Sequence, residues 1–385
     1  MTATTSIYLD NNATTRVTAQ CADALVRMLT ACYGNPSSKH SLGDAAKSEL
    51  ISARAKLAML IGATPAELVF TSGGTESIHH AITSALALAP KRRRIVTTTV
   101  EHSATLKFLE SLDGYGYEVV RIPVDSNGEI SLEAVDESLT ADTALFSCLW
   151  ANNETGVLFP IEALARKAKK KGIWVHCDAV QAVGKLPVDV ASVPVDFLSL
   201  SGHKFGAPKG IGALFVRKGV KATALHPGSQ ERGRRGGTEN LPGIVALGVA
   251  AELAQHRIQS DIPKRVQALT HLLETGLKAQ LGSIHINGDK APRVPGTTSL
   301  NLGGQAPAEI VLDKLDRKGI HASAGSACSA GGGAPSHVLI AMGLSENEAL
   351  STLRFSMSHE TTADQIQTVI DVLPEIVREA RNESQ

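Results

Sequence analysis

The chain should fold as an α/β protein, with a mostly parallel seven-stranded sheet in a large domain and a smaller α+β domain beside it. Three observations predict this. Between residues 67 and 216, seven short apolar runs alternate with helix-like stretches. Several of those runs are apolar on both faces, as strands covered by helices on both sides are. After about residue 255 the pattern changes to long helical stretches with few strands, and 385 residues exceed the size at which one core usually keeps growing.

The expected strands of the large sheet are residues 67–71, 95–99, 118–122, 144–150, 173–178, 197–201 and 212–216. Helical periodicity fills the intervals, most clearly over 75–88, 103–112 and 161–171. The smaller domain is expected to have helices at 262–281, 308–318 and 362–381, with strands near 298–302 and 352–357. This gives a large domain of residues 16–254. The small domain takes residues 1–15 and 255–385. The polar, turn-like run Asp10-Asn11-Asn12-Ala13-Thr14-Thr15 follows an apolar strand start, so the N-terminal tail should pack near the active site.

Composition narrows the class of function. The apolar fraction of 43% and charged fraction of 20% are those of an ordinary globular protein. Lys plus Arg balances Asp plus Glu at 38 each, which argues against a nucleic-acid binder. The run Lys91-Arg92-Arg93-Arg94 is read as a solvated loop. No apolar run is long enough to span a bilayer, and the first residues carry no secretory pattern, so no membrane association is expected. The cysteines are Cys21, Cys32, Cys148, Cys177 and Cys328. An odd count without CxxC suggests neither a disulfide framework nor a metal site, and fits a reducing cytoplasm.

Ligands of a parallel sheet bind outside the carboxyl ends of its strands, so the residues ending each strand matter most. The first strand runs into Thr71-Ser72-Gly73-Gly74-Thr75-Glu76-Ser77 and opens a helix. Small residues there let backbone N–H groups approach an anion, and the helix N-terminus favours negative charge. This suits a phosphate, although a plain capping turn reads the same way. No Walker motif is present. The next strand ends in Glu101-His102, where a histidine either caps a helix or stacks on a planar cofactor. The segment 151–156, Ala-Asn-Asn-Glu-Thr-Gly, follows the fourth strand, and Asp178 with Gln181 follows the fifth. An aspartate there holds a protonated ring nitrogen or caps a helix. The sixth strand ends in Ser201-Gly202-His203-Lys204. Burying Lys204 at a strand end is costly unless the amine has a task, and burial frees a nucleophilic amine for Schiff-base chemistry. Thr75, His102, Asn153, Asp178, Gln181, His203 and Lys204 at consecutive strand ends are far more specific as a set than singly.

That set resembles the fold-type I enzymes that use pyridoxal phosphate (PLP). The motifs TSGGTES, ANNETG, HCDAVQAVGK, SGHK, RRGGTEN and GSAC, with the N-terminal YLDNNATT and GNPSS, narrow the likeness to the cysteine desulfurases of the nitrogen-fixation and housekeeping iron–sulfur group, in the class-V aminotransferase family. The resemblance covers nearly the whole chain. It implies that Lys204 holds the cofactor as a Schiff base and that Asp178 pairs with the pyridine nitrogen. Gln181 and Asn153 would lie near the ring hydroxyl, and His102 would stack on the ring and shuttle protons. Gly74, Thr75, Ser201 and His203 would hold the phosphate. Thr238 would reach the phosphate of the partner subunit, which implies a homodimer. Arg354 would bind the α-carboxylate of L-cysteine, as an arginine fork can. Cys328 would take the sulfur, leaving L-alanine, and pass it to an iron–sulfur scaffold or another acceptor protein.

Cys328 lies in the most glycine- and alanine-rich stretch of the chain, Ala322 to Pro335. That stretch has no large side chain to bury and is expected to be mobile, which suits a thiol that must collect and deliver sulfur. A free thiol has a pKa of about 8.5, so it needs local help to ionise. Cys148 and Cys177, in apolar strands, read as structural. The family commonly has a polar Asp or Asn pair after TES, where this chain has Ile78-His79-His80. Housekeeping members carry a longer tail for scaffold docking than the few residues after the last helix here, which leans toward the nitrogen-fixation type. Rival readings are a selenocysteine lyase or another fold-type I activity such as an aminotransferase, and, from a different class, a non-catalytic sulfur or iron–sulfur carrier that uses Cys328 alone.

Overall fold

The computed structural model describes residues 6–304, 306–325 and 334–383. Its largest feature is a seven-stranded sheet. From one edge the order is Leu68–Thr71, Gly212–Val216, Phe197–Ser201, Trp174–Asp178, Thr143–Leu149, Arg94–Thr98 and Glu118–Ile122. Gly212–Val216 is antiparallel to both neighbours, and the other pairings are parallel. Six strands therefore point their carboxyl ends the same way. All seven lie at the expected places, with ends shifted by at most a residue.

Burial explains why the central strands are nearly continuous apolar runs. Every residue of Thr143–Leu149, Phe197–Ser201 and Gly212–Val216 is buried, because helices cover both faces. Phe146, Phe197 and Phe215 are fully buried, and each contributes about 1.5–3 kcal/mol over an exposed side chain. The helix Gly74–Leu88 packs against this sheet through Ile78, Ala81, Ile82 and Ala85, spaced to share one face. Helix Ile161–Lys170 buries Ile161, Leu164, Ala165 and Ala168, while Lys167, Lys169 and Lys170 in its last turn offset the partial negative charge there.

A second apolar core gathers the two ends of the chain. Ile7 and Leu9 pack with Leu273, Leu277, Phe355 and Val369. A four-stranded antiparallel sheet runs in the order Ser323–Ala324, Thr352–Ser356, Thr297–Asn301 and His285–Ile286. The N-terminal strand Ile7–Tyr8 pairs in parallel with Ile320–His321, and Asp10 bridges to Ser356. Helix Ile262–Leu281 has Pro263 in its first turn, buries Val266, Leu269, Leu273 and Leu277, and stops at Gly282, whose φ of 67° suits glycine. Among the described residues no helix is long and apolar enough to cross a membrane.

Candidate active site

The carboxyl ends of the parallel strands frame a cavity of about 210 Å³. Its wall includes Gly74, Thr75, His102, Asn153, Asp178, Gln181, Ser201, His203 and Lys204, all expected from the sequence. They come from five strand ends or the turns after them, so distant segments meet because the sheet sets them side by side.

Lys204 follows the strand Phe197–Ser201 in a short 3-10 turn, Gly202–Lys204. Its Nζ donates to the carbonyls of Asn12 at 2.6 Å and Ala13 at 2.9 Å. The N-terminal turn thus holds the reactive amine, as its polar sequence led one to expect. Asn12 does more than that expectation said. Its Nδ2 donates to the Asn153 carbonyl at 3.1 Å, and its carbonyl also accepts from Gln181 Nε2 at 3.0 Å.

Asp178 and His102 both line the cavity. Asp178 Oδ1 accepts from Val180 N at 2.9 Å, which closes a turn, and no helix follows for it to cap. Burial pushes its carboxyl up, and His102 and Lys204 act against that. His102 caps helix Ser103–Glu110, with Nδ1 accepting from Ala104 N at 3.1 Å. Burial lowers its pKa, with Asp178 opposing and Lys204 and His337 adding. His203 is lowered by burial to about 4 and is therefore neutral at physiological pH.

Other expected residues lie apart from this wall. Arg354 does not line the cavity. It is buried in the strand Thr352–Ser356, which the N-terminal segment joins through the bridge from Asp10 to Ser356. Its Nη2 donates to Asp10 Oδ1 at 2.8 Å and its Nη1 to the Asn153 carbonyl at 3.2 Å. Its Nε has no hydrogen-bond partner among the described residues. Thr238 is exposed and does not border the cavity of its own chain. Cys328 lies outside the described residues. Cys21, Cys148 and Cys177 are buried, and burial pushes the Cys148 and Cys177 thiols well up.

Several groups at the site were not anticipated. Lys185 is half-buried and donates to Asn12 Oδ1 and Gln181 Oε1, both at 2.7 Å. Residues 181–185 form a turn rather than a helix, so helical spacing gave no signal of this pairing. Glu101, beside His102 in the sequence, has one oxygen bonded to Thr98 Oγ1 and Leu149 N, while Oε2 has no partner among the described residues. Burial raises it to about 8. A further cavity of about 90 Å³ also touches Lys204, but it is bordered by Arg16, Arg257 and His359 and shares neither Asp178 nor His102.

Pyridoxal phosphate fits the larger cavity. At the start of helix Gly74–Leu88 the first N–H groups face it, and a Cβ on Gly74 would sit 2.9 Å from Val180 Cγ2, so only glycine leaves that approach open. Ser201 and the neutral His203 add hydrogen-bonding groups on the same side. Asp178, buried on the wall of this cavity, is a carboxyl that a protonated ring nitrogen would meet.

Comparison with known proteins agrees with this arrangement. The family model described as aminotransferase class-V matches residues 7–369. A cysteine desulfurase of a Nostoc species is 47% identical over 376 residues, covering 97% of this chain and 94% of that protein. The cysteine desulfurase NifS of Azotobacter vinelandii is 45% identical over 380 residues, covering 98% and 94%. The solved structure of a NifS-like protein superposes with a TM-score of 0.90 at 35% identity, covering 97% of this chain and all of that one (100%).

Proposed function

The chain belongs to the class-V aminotransferase family, among its cysteine desulfurases, and we propose that it converts L-cysteine to L-alanine while Cys328 takes the sulfur as a persulfide. One observation carries the reading: Lys204 ends a buried strand in the same cavity as Asp178, His102 and Gln181. Pyridoxal phosphate, when bound, supplies the electron sink that makes the bonds at the substrate α-carbon labile.

The chain's own residues do the rest. Gly74, Thr75, Ser201 and His203 would hold the phosphate, and Asp178 would pair with the ring nitrogen. Gln181 and Asn153 would lie near the ring hydroxyl, and His102 would stack on the ring. Lys204 would hold the cofactor, and Lys204 or His102 would move the proton at the substrate α-carbon. Arg354, steadied by Asp10, receives the substrate carboxylate through a charge-assisted fork. Cys328 thiolate then attacks the substrate sulfur. An S–S bond forms as the substrate's C–S bond breaks, that electron pair stays with the carbon, and protonation there completes alanine.

The domain reading belongs to the same proposal. Residues 16–254 form the cofactor-binding unit, and residues 1–15 with 255–385 carry Arg354 and Cys328, the junction falling within helix Leu241–Gln259. Thr238, exposed on its own chain, would complete the phosphate site of the partner subunit in a homodimer. Acceptance of the sulfur by an iron–sulfur assembly protein, for nitrogenase maturation, is supported by the likeness to NifS. The free thiols of the described cysteines suit the reducing cytoplasm.

The test is an absorption spectrum of the purified protein before and after L-cysteine, with alanine assayed alongside. A visible band that shifts with cysteine as alanine forms is the expected result. Cys328→Ala should keep the band and lose the persulfide. A protein that stays colourless after incubation with PLP refutes the role of Lys204.

A further inference from the structure

Lys185 borders the smaller cavity and not the larger one, and the reaction as derived above gives it nothing to do. Its amine nonetheless serves two side-chain amides, donating to Gln181 Oε1 and to Asn12 Oδ1 at 2.7 Å each. Both amides are buried, Gln181 at 5% exposed and Asn12 at 4%. Gln181 Nε2 in turn donates to the Asn12 carbonyl at 3.0 Å, and the same carbonyl accepts from Lys204 Nζ at 2.6 Å. Asn12 Nδ2 donates to the Asn153 carbonyl and to Thr297 Oγ1, both at 3.1 Å. A side-chain amide can turn over about its last bond and exchange oxygen for nitrogen with little change of shape. At Gln181 the partners choose between the two orientations. Lys185 supplies donors, and the Asn12 main-chain carbonyl only accepts. The oxygen therefore lies on the Lys185 side. Nε2 has two N–H groups, of which one goes to Asn12 and the other is left for the cavity that Gln181 lines.

We propose that Lys185 is a positioning residue for Gln181: by holding Oε1 it makes the carboxamide present an N–H, and not an oxygen, to the ring hydroxyl of the cofactor. That Gln181 lies near this hydroxyl rests on the desulfurase reading; the bonds from Lys185 do not. The Asn12 carbonyl is the weaker guide, because Lys204 shares it. Without Lys185, Gln181 Oε1 is a buried acceptor with no donor, and the amide gains by turning over to find one. The orientation decides the fate of a proton. A cofactor held by Lys204 shares one proton between the lysine nitrogen and the ring oxygen. An N–H aimed at that oxygen stabilises its negative form, so the proton leaves at lower pH, whereas an amide oxygen in the same place opposes the negative form and keeps the proton on. Lys185 can act in either of its own states. Burial lowers it to about 7, with Lys204 and Arg354 pushing the same way, and a neutral amine still has two N–H groups for its two acceptors. Around the smaller cavity stand Arg16, Arg257, His359 and Glu360, and around the larger one His102, Asp178 and His203.

The test uses holoenzyme and four variants: Lys185→Met, Gln181→Met, the double variant, and Lys185→Arg, which keeps only donors and has room because residue 185 borders a cavity. The readout is the pH midpoint of the cofactor's visible band, measured without substrate. Lys185→Met and Gln181→Met should each raise that midpoint by roughly one unit, a tenfold change in proton affinity and the scale of one hydrogen bond to a charged oxygen. The double variant should rise no further than Gln181→Met alone, because Lys185 acts through the amide. A midpoint unmoved by Lys185→Met overturns the proposal. A double variant whose shift is the sum of the two single shifts also overturns it, since that is the mark of Lys185 acting by its own charge. Should Lys185→Met fail to fold, Lys185→Arg still decides: its donors must keep the midpoint near that of wild type, and a rise of roughly one unit sinks the idea. If the wild type stays colourless with PLP, the cofactor reading fails, and urea denaturation of the same proteins still tests the positioning. Lys185→Met and Gln181→Met remove one shared bond, so the double variant must lose less stability than the two single losses together, and additive losses overturn the proposal.

Discussion

Lys185→Met removes one ammonium group and keeps the length of the side chain. In the native protein Lys185 is half-buried, and its amine has Asn12 Oδ1 and Gln181 Oε1 as acceptors at 2.7 Å each. Burial lowers it from the ordinary 10.5 to about 7, and Lys204 and Arg354 push the same way. The unfolded chain therefore holds a proton on Lys185 up to about pH 10.5 that the folded chain releases from about pH 7. Where the unfolded state binds more protons, stability rises with pH. Between those limits the slope from this residue is about 1.4 kcal/mol per pH unit. The folded group is half titrated at pH 7, so going from pH 7 to 9 adds about 2.3 kcal/mol to the wild type through Lys185 and nothing to the methionine variant. Methionine also leaves two buried acceptors without a donor, at about 1–3 kcal/mol each, and that loss does not vary with pH. Urea denaturation of both holoproteins at pH 7, 8 and 9 measures the difference. Wild type should gain on the variant steadily as pH rises. A difference that stays flat over that interval refutes the reasoning, because it means that Lys185 keeps its proton in the folded state.

Other consequences are as direct. Glu231→Gln breaks a buried bidentate pair with Arg54, in which the shorter contact is 2.5 Å and the glutamate side chain is 3% exposed. It should lower stability by about 3–5 kcal/mol in the same urea assay, and an unchanged midpoint would mean that Arg54 finds another acceptor. Gly74→Val puts a branched side chain where even a Cβ meets Val180 at 2.9 Å. It should weaken cofactor retention at least tenfold, measured as PLP released on dialysis, while wild-type retention would remove Gly74 from the phosphate site. Glu101→Gln exchanges a neutral acid for a neutral amide and should leave the cofactor absorbance and cysteine turnover within about twofold of wild type, whereas a large loss of either would show that Glu101 carries a charge.

Much of this was legible in the sequence, and the reason is geometric. A parallel sheet lines up its strand ends, so Asp178, Ser201 and Lys204 announced themselves by ending apolar runs. The strand Phe197–Ser201 and the helix Ile262–Leu281 lie where their apolar periodicity put them, because burial enforces that periodicity. What could not be seen was which polar groups meet across long sequence separations. Asp10 and Arg354 are 344 residues apart and pair only because the N-terminal turn lies over strand Thr352–Ser356. The sequence of that strand did not show that another segment would cover Arg354. Lys185 was invisible for a related reason. A charged residue in a turn reads as solvated, and only the fold shows which polar groups it meets.

The enclosed acids under the cavity also explain how one site keeps a single negative charge where it is needed. Asp178 is close enough to help raise Glu101, and both are buried. Two like charges so placed cannot both persist cheaply, so their surroundings must separate them. Glu101 is held at about 8 by burial, with only a hydroxyl and one main-chain N–H in return, and stays protonated at neutral pH. Asp178 has His102 and Lys204 acting to ionise it, with the N–H of Val180. Of the two, Asp178, at the strand end bordering the cavity, is the acid whose neighbours favour the charged form. Glu101 in its neutral form fills that space with a polar group and leaves Asp178 as the acid that a cationic ring nitrogen would meet.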